Sequence, residues 1–78
     1  MRYAILRGAR TRSEAEAYLP ENYRVLGAFE ERARNDGART SYVIGGDDVA
    51  GWTLDEYVIP RCASGLLQVS ELADEVTA

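Results

Sequence analysis

The sequence predicts an α+β fold whose elements follow the order strand, helix, strand, strand, helix, strand. Three observations in the 78 residues predict it: two capping-box patterns that begin short helices, an Asp-Gly pair between two β-rich segments, and the absence of an apolar run as long as a membrane span. This length corresponds to one domain. Because a chain of this size buries only about 60% of its unfolded surface, its core is small.

The first strand is predicted over residues 3–7. Tyr3 and Ile5 share one face of this strand, and Ala4 and Leu6 share the other, because side chains alternate along a strand. Apolar residues on both faces indicate a central position in the sheet.

The first helix is predicted to begin at Thr11. Residues 11–14 (Thr-Arg-Ser-Glu) form a capping box, in which the threonine hydroxyl accepts a hydrogen bond from the amide of the glutamate. Pro20 ends the helix near Tyr18 or Leu19, because the residue before a proline avoids the α-helical region. A helix of about two turns depends on docking against the sheet.

A β-hairpin is predicted from residues 23–33 and 40–44. Residues 30–34 would also suit a helical turn, but the sequence Asn35-Asp36-Gly37 favours the hairpin, because an Asp-Gly pair suits a type I′ turn. Within the first hairpin strand, Gly27 indicates a β-bulge or a site of close approach.

A loop is predicted over residues 45–51, followed by the second helix. Thr53 and Glu56 form another capping box, and Trp52 and Tyr57 have the spacing of a hydrophobic staple. These are the clearest local signals in the chain.

Pro60 conflicts with a continuous second helix, because an interior proline loses a hydrogen bond and clashes with the preceding turn. We expect the helix to end or kink at Ile59 and to resume briefly towards Gly65. The last strand is predicted over residues 66–70. The domain as a whole is expected over residues 1–72, with an acidic tail over residues 73–78 that frays.

This order of elements matches the ferredoxin-like βαββαβ fold. That fold is a two-layer sandwich, with a four-stranded antiparallel sheet and two helices on one face. The first and third strands are then central neighbours. The other face of the sheet must be solvated or covered by a partner.

The composition excludes most catalytic side-chain chemistry. The chain has no histidine, all nine of its basic residues are arginine, and its only cysteine is Cys62. Histidine is the usual acid–base residue near neutral pH, and lysine supplies Schiff bases and P-loop contacts. Cys62 has no histidine base and lies on an apolar stripe, which predicts a buried small hydrophobic residue. We therefore expect no enzyme activity, no cofactor and no metal, although a site completed by a second chain stays open.

The glycines and acidic residues of the predicted loop suggest a phosphate site or a calcium site, but the residue spacing supports neither. Residues 45–48 (Gly-Gly-Asp-Asp) lack the lysine of a phosphate loop, and the spacing of a calcium loop is absent. The adjacent acids Asp55 and Glu56 do not face each other on a helix, so capping and solvation explain them better than acid–base catalysis does.

The charge distribution favours a protein partner. The net charge is −4; residues 1–13 carry four arginines and no acid, whereas residues 47–78 carry seven acids and one arginine. An acidic half can present one face to a basic partner. We expect a non-enzymatic small interaction protein that binds a protein partner or forms a homodimer. The residues expected at the interface are Tyr3, Tyr42, Trp52, Asp47 and Asp48.

Single-stranded nucleic-acid binding is the alternative. Tyr3 and Tyr42 lie on the predicted central strands, where RNA-recognition domains place stacking aromatic residues. The side chains expected to contact phosphate are Arg2, Arg7 and Arg39. Residues 38–45 do not match the sequence pattern of those domains, and the negative net charge opposes nucleic-acid binding.

Residues 7–11, 14–23 and 51–61, about a third of the chain, resemble short uncharacterised proteins of actinobacteria and their phages. The resemblance implies that the chain comes from an actinobacterium or from one of its phages. It implies no catalytic or binding residue. The N-terminal residues lack an apolar segment of signal-peptide length, so a cytoplasmic location is expected.

Overall fold

A computed structural model describes residues 1–33, 37–62 and 67–72. Strands and short helical segments alternate along these residues. In chain order they are β1 (Arg2–Arg7), α1 (Arg12–Ala17), β2 (Tyr23–Ala33), β3 (Gly37–Gly46), a π-helical turn (Leu54–Val58), α2 (Ile59–Cys62) and β4 (Gln68–Leu72). The helical segments have at most six residues each, well short of the about 20 that span a membrane.

The four described strands form one antiparallel sheet in the order β2-β3-β1-β4. β1 and β3 are therefore the central neighbours, as the apolar residues on both faces of β1 predict. The α+β class, the four-stranded antiparallel sheet and the two helical regions are confirmed.

The buried core lies on the side of the sheet that the helical segments cover. Ala4 and Leu6 of β1 point to this side, where Ala15 of α1 and Leu54 of the π-helical turn are fully buried. The whole cluster of buried hydrophobic residues is Ala4, Leu6, Ala9, Ala15, Tyr23, Val25, Tyr42, Ile44, Leu54, Val58, Cys62 and Leu67. We call the opposite side of the sheet the open face.

The first helix follows its local signals. The Thr11 hydroxyl accepts a hydrogen bond from the Glu14 amide at 3.1 Å, and α1 ends before Pro20. Ala15 is its one fully buried residue, which agrees with a short helix that depends on docking.

The hairpin between β2 and β3 is confirmed, and so is a bulge beside Gly27. The pairing with β3 shifts between Val25 and Gly27, so Leu26 is the extra residue. A Cβ atom at Gly27 would contact nothing within 4 Å, so close approach is not the reason for this glycine. Three residues separate the paired Ala33 and Gly37. A two-residue turn centred on Asp36-Gly37 is therefore wrong; residues 34–36 lie outside the described residues.

The loop predicted from residue 45 is also wrong at its start, because β3 continues to Gly46. There Gly46 pairs with Arg2 on one side and with Tyr23 on the other. A Cβ atom at Gly46 would lie 2.1 Å from the backbone oxygen of Asn22, so only glycine lets the chain pass this closely. Gly45 and Gly46, which predicted a loop, therefore lie in a strand that is paired on both sides.

The second helical region begins as predicted but does not end at Ile59. The Thr53 hydroxyl accepts a hydrogen bond from the Glu56 amide at 2.9 Å. The segment then forms a π-helical turn, in which the Val58 amide donates to the Thr53 carbonyl at 3.3 Å. The chain passes from π-helical to α-helical geometry at Ile59, and α2 contains Pro60. The proline is accommodated at this change of geometry, and the predicted continuation towards Gly65 lies outside the described residues.

The last strand begins two residues later than predicted, at Gln68. Val69 pairs with Leu6 and therefore points to the covered side of the sheet. Pairing with β1, rather than the apolar run 66–67, sets the limits of the strand. The predicted tail, residues 73–78, lies outside the described residues.

Candidate interaction surface

Arg2 at the start of β1 holds three acidic side chains together. Its Nη1 atom donates to Asp48 at 2.8 Å and to Asp55 at 3.1 Å, and its Nε atom donates to Glu71 at 3.1 Å. These acids come from the loop after β3, from the π-helical turn and from β4. The hydrogen bonds, that with Asp48 first, raise the pKa of Arg2 above its usual value. We call Arg2, Asp48, Asp55 and Glu71 the Arg2 cluster.

Asp48 also ties this cluster to the core. Its Oδ1 atom accepts hydrogen bonds from the Tyr23 hydroxyl and, at 2.9 Å, from the Leu54 amide. The bonds from Tyr23 and then Arg2 lower the pKa of Asp48 to about 2. Burial and the bond to Asp48 raise the pKa of Tyr23. Within the predicted loop, Asp48 is therefore anchored by hydrogen bonds from three other residues.

Asn22 fixes the rest of the loop. Its side-chain amide donates to the carbonyl of Asp47 at 2.8 Å and to the carbonyl of Trp52 at 2.7 Å. Val49 and Trp52 form a β-bridge across a tight turn, with the Trp52 amide 2.9 Å from the Val49 carbonyl. Gly51 in this turn has a φ of 82°, a conformation that favours glycine. The backbone around Trp52 is thus held by hydrogen bonds on both sides.

A groove of about 530 Å³ opens beside this loop, and we call it the Trp52 groove. Its walls are the connection between α1 and β2 and the segment before the second helical region. Trp52 and Val49 are 45% and 47% exposed. The lining residues are Leu19, Pro20, Glu21, Asn22, Val49, Trp52 and Tyr57.

The Tyr57 ring packs against the indole of Trp52. The two rings meet edge to face with centroids 4.6 Å apart, which confirms the predicted hydrophobic staple. The Arg61 guanidinium lies 5.0 Å from the centroid of the Tyr57 ring. Trp52 is therefore both exposed and held in one orientation.

Two acidic side chains lie at or near the groove. Glu21 lines the groove, and Asp47 follows the same Asn22 anchor with a side chain that is 74% exposed. The amino group of Met1 lies 3.0 Å from Asp47. We call Glu21 and Asp47 the acidic rim.

The structure does not bring the five predicted interface residues onto one surface. Trp52 lines the groove and Asp47 lies next to Asn22 in the groove wall, whereas Asp48 points inward to Tyr23. Tyr42 is only 6% exposed and pairs with Leu6 on the covered side of the sheet. Tyr3 points to the open face, because it alternates with Ala4. The side chains of Tyr42 and Asp48 make contacts within the fold, Tyr42 in the buried core and Asp48 with Tyr23 and Leu54.

The two tyrosines predicted to stack on nucleic-acid bases do not share one surface. Tyr3 and Tyr42 lie on neighbouring strands but on opposite faces of the sheet. Arg2 is engaged by the Arg2 cluster, and Arg7 forms a two-pronged ion pair with Glu31. Of the predicted phosphate contacts, Arg39 alone is exposed without such an ion pair in the described residues.

Of the seven residues that line the groove, sequence reasoning placed only Trp52 at an interface. Two of the six others, Val49 and Asn22, position the loop that carries Trp52. The motif Val49-Ala50-Gly51-Trp52 carried a signal for Val49, because a glycine between two large apolar residues is typical of a tight turn that pairs them. Asn22 had no such signal, since its hydrogen bonds reach residues 25 and 30 positions away.

Cys62 is buried, as its place on the apolar stripe predicts. The side chain is 1% exposed, and burial raises the pKa of its thiol. Among the described residues, no group of three or more acidic or cysteine side chains is arranged to hold a metal ion.

Comparisons with known proteins add no relative: no family model, curated protein or solved structure matches this chain.

Proposed function

We propose that this protein is a non-enzymatic interaction protein that binds a protein partner at the Trp52 groove. The observation that carries the proposal is an indole 45% exposed at a groove whose backbone is held by hydrogen bonds. Tryptophan is among the residues most enriched at the energetic centres of protein interfaces. An anchored aromatic side chain also loses little conformational freedom on binding.

The chemistry of the groove favours a basic partner segment with one large apolar side chain. The apolar side chain would pack against Trp52 and Val49, and neighbouring arginine or lysine residues would face the acidic rim. The net charge of −4 would steer such a segment towards the protein and make the association rate sensitive to salt.

We further propose that the architecture is the ferredoxin-like one. The strand order β2-β3-β1-β4, with antiparallel neighbours throughout, supports this assignment. So does the placement of α1 between β1 and β2 and of the second helical region between β3 and β4.

The proposed function is tested by affinity capture and a binding titration. Because of the resemblance noted above, an actinobacterial lysate is the first source of partners. The captured protein is then purified and titrated against the natural chain and Trp52→Ala. We expect Trp52→Ala to raise Kd by at least about tenfold. Binding should also weaken as salt is raised from about 0.05 to 0.5 M, because of the acidic rim.

Leu26→Ala is the matched control, because Leu26 is 40% exposed but lies on the open face. It should bind the partner as the natural chain does. Circular dichroism establishes that both variants are folded. Equal binding by the natural chain and Trp52→Ala, or the absence of any captured protein, would overturn the proposal.

A further inference from the structure

The open face of the sheet is a second surface, and it is independent of the Trp52 groove. We infer that two copies of this chain associate through their open faces. The inference rests on two features of this face: a central apolar patch, and a central arginine and glutamate that neutralise each other.

The apolar patch lies where β1 and β3 pair. Ile5 and Val43 are opposite each other in the register, and both are half-buried on the open face. Beside them, a Cβ atom at Gly45 would lie 2.7 Å from the Leu26 side chain and 3.1 Å from the Tyr3 ring. Leu26 and Tyr3 therefore lie over Gly45 and extend the patch, and Leu26 is 40% exposed.

The charged groups at the centre of the open face neutralise each other. Arg7 of β1 donates to both carboxylate oxygens of Glu31 of β2, at 2.7 and 2.8 Å. Ser41 of β3 donates to Glu31 at 2.6 Å, and Arg7 donates to Ser70 of β4 at 2.8 Å. One residue from each strand thus completes a row of hydrogen bonds across the sheet. Burying an ion is costly mainly when it has no partner. Because Arg7 and Glu31 pair with each other, a second copy could cover this row without leaving either charge unpaired.

An identical face suits this surface better than a charged partner does. A two-fold interface brings the same patch of both copies together, so the patch must tolerate itself. The open face offers apolar side chains and an internally paired Arg7 and Glu31. Its two further arginines, Arg24 and Arg39, are exposed; Arg24 lies on the edge strand, and Arg39 lies on the part of the hairpin that extends beyond β1. They would stay solvated at the rim, where charged groups belong.

The shape of the molecule leaves the open face accessible to a second copy. The molecule measures 39 × 33 × 18 Å, and the short dimension fits one sheet with one helical layer. A small domain also gains stability when a second copy covers its apolar surface.

Sedimentation velocity over a range of concentrations tests the inference. We expect the natural chain to pass from monomer to dimer as its concentration rises. Leu26→Asp places a charge in the patch and should raise the dimer Kd at least tenfold. Trp52→Ala changes a residue of similar exposure, 45% against 40%, at the groove, and should leave the dimer unchanged. The dimer should persist at high salt, because its contacts are mainly apolar.

A second variant protects the test against misfolding of the first. Ser70→Glu adds a negative charge to the open face at an exposed position of β4 and should also weaken the dimer. A monomer at every concentration would overturn the inference. So would a dimer that both open-face variants leave intact, and a dimer lost only in Trp52→Ala would assign the interface to the groove. Partner binding at the groove can fail without affecting any of these outcomes.

Discussion

At the scale of single residues, Asp48 and its neighbour Asp47 have the same side chain but differ in their hydrogen bonds and in their exposure. Asp48 accepts hydrogen bonds from Tyr23, Leu54 and Arg2, and its side chain is 30% exposed. The Asp47 side chain pairs with the Met1 amino group and is 74% exposed. Two adjacent, identical side chains therefore have different consequences for stability.

We predict that Asp48→Asn destabilises the protein by about 2 kcal/mol, because the buried tyrosine hydroxyl and Arg2 lose a charged partner. Asp47→Asn is the matched control and should change the free energy of unfolding by less than about 0.5 kcal/mol. Urea denaturation at neutral pH measures both. Equal losses in the two variants would contradict the role assigned to Asp48.

At the scale of secondary-structure elements, the glycines Gly27 and Gly46 occupy their strand positions for different structural reasons. Gly46 ends β3 against the backbone of residue 22, where a Cβ atom would lie 2.1 Å from an oxygen. Gly27 follows the bulge residue of β2 and has open space beside it. Close backbone approach explains the first, and nothing in the structure requires the second.

We predict that Gly46→Ala destabilises the protein by about 3 kcal/mol, because the backbone of β2 and β3 must move apart. Gly27→Ala should be neutral or stabilise by up to about 1 kcal/mol, because the unfolded chain loses freedom while the strand has room. Thermal unfolding followed by circular dichroism compares the two variants. A larger loss in Gly27→Ala would show that the strand contacts are assigned incorrectly.

At the scale of the whole molecule, the two sides of the sheet are each held by an ionised carboxylate. On the open face, the hydrogen bonds from Arg7 and then Ser41 lower the pKa of Glu31 to about 2. On the covered side, the pKa of Asp48 is lowered to a similar value. A carboxyl whose pKa is lower in the folded state stabilises the fold above its unfolded pKa. That stabilisation is lost as the pH falls through the folded value.

We predict that the stability of the natural chain declines as the pH falls from about 4.5 towards 2, the interval between the usual and the folded pKa of Glu31. Glu31→Gln removes one titrating group and should flatten this decline, while lowering stability at pH 7. Urea midpoints measured at steps of one pH unit show the difference. An unchanged slope in Glu31→Gln would contradict the ion-pair assignment.

The arrangement of the whole molecule also separates its two proposed contacts. The Trp52 groove and its acidic rim lie at one end, between the helical layer and the loop after β3. The apolar patch on the open face lies on the other side of the sheet. A dimer formed through the patch would leave both grooves accessible, so each copy could hold a partner.

Features that arise within a few residues could be predicted from the amino-acid sequence alone. Thr11 and Thr53 each cap a helix through the amide three positions later, and Trp52 packs edge to face on Tyr57, because these groups are close when a helix begins here. The order of strands and helices follows from the same local patterns. The bulge beside Gly27 was one of the two alternatives that the glycine itself predicted.

The strand register, the two faces of the sheet and the candidate sites depend on the folded chain. Register places Tyr42 opposite Leu6 in the core, whereas a shift of one residue would expose it. The contacts of Arg2 join residues 46 to 69 positions apart. Such contacts depend on packing across the whole chain, which no short pattern contains, and for this reason Asp48 could not be distinguished from Asp47 before the fold was known.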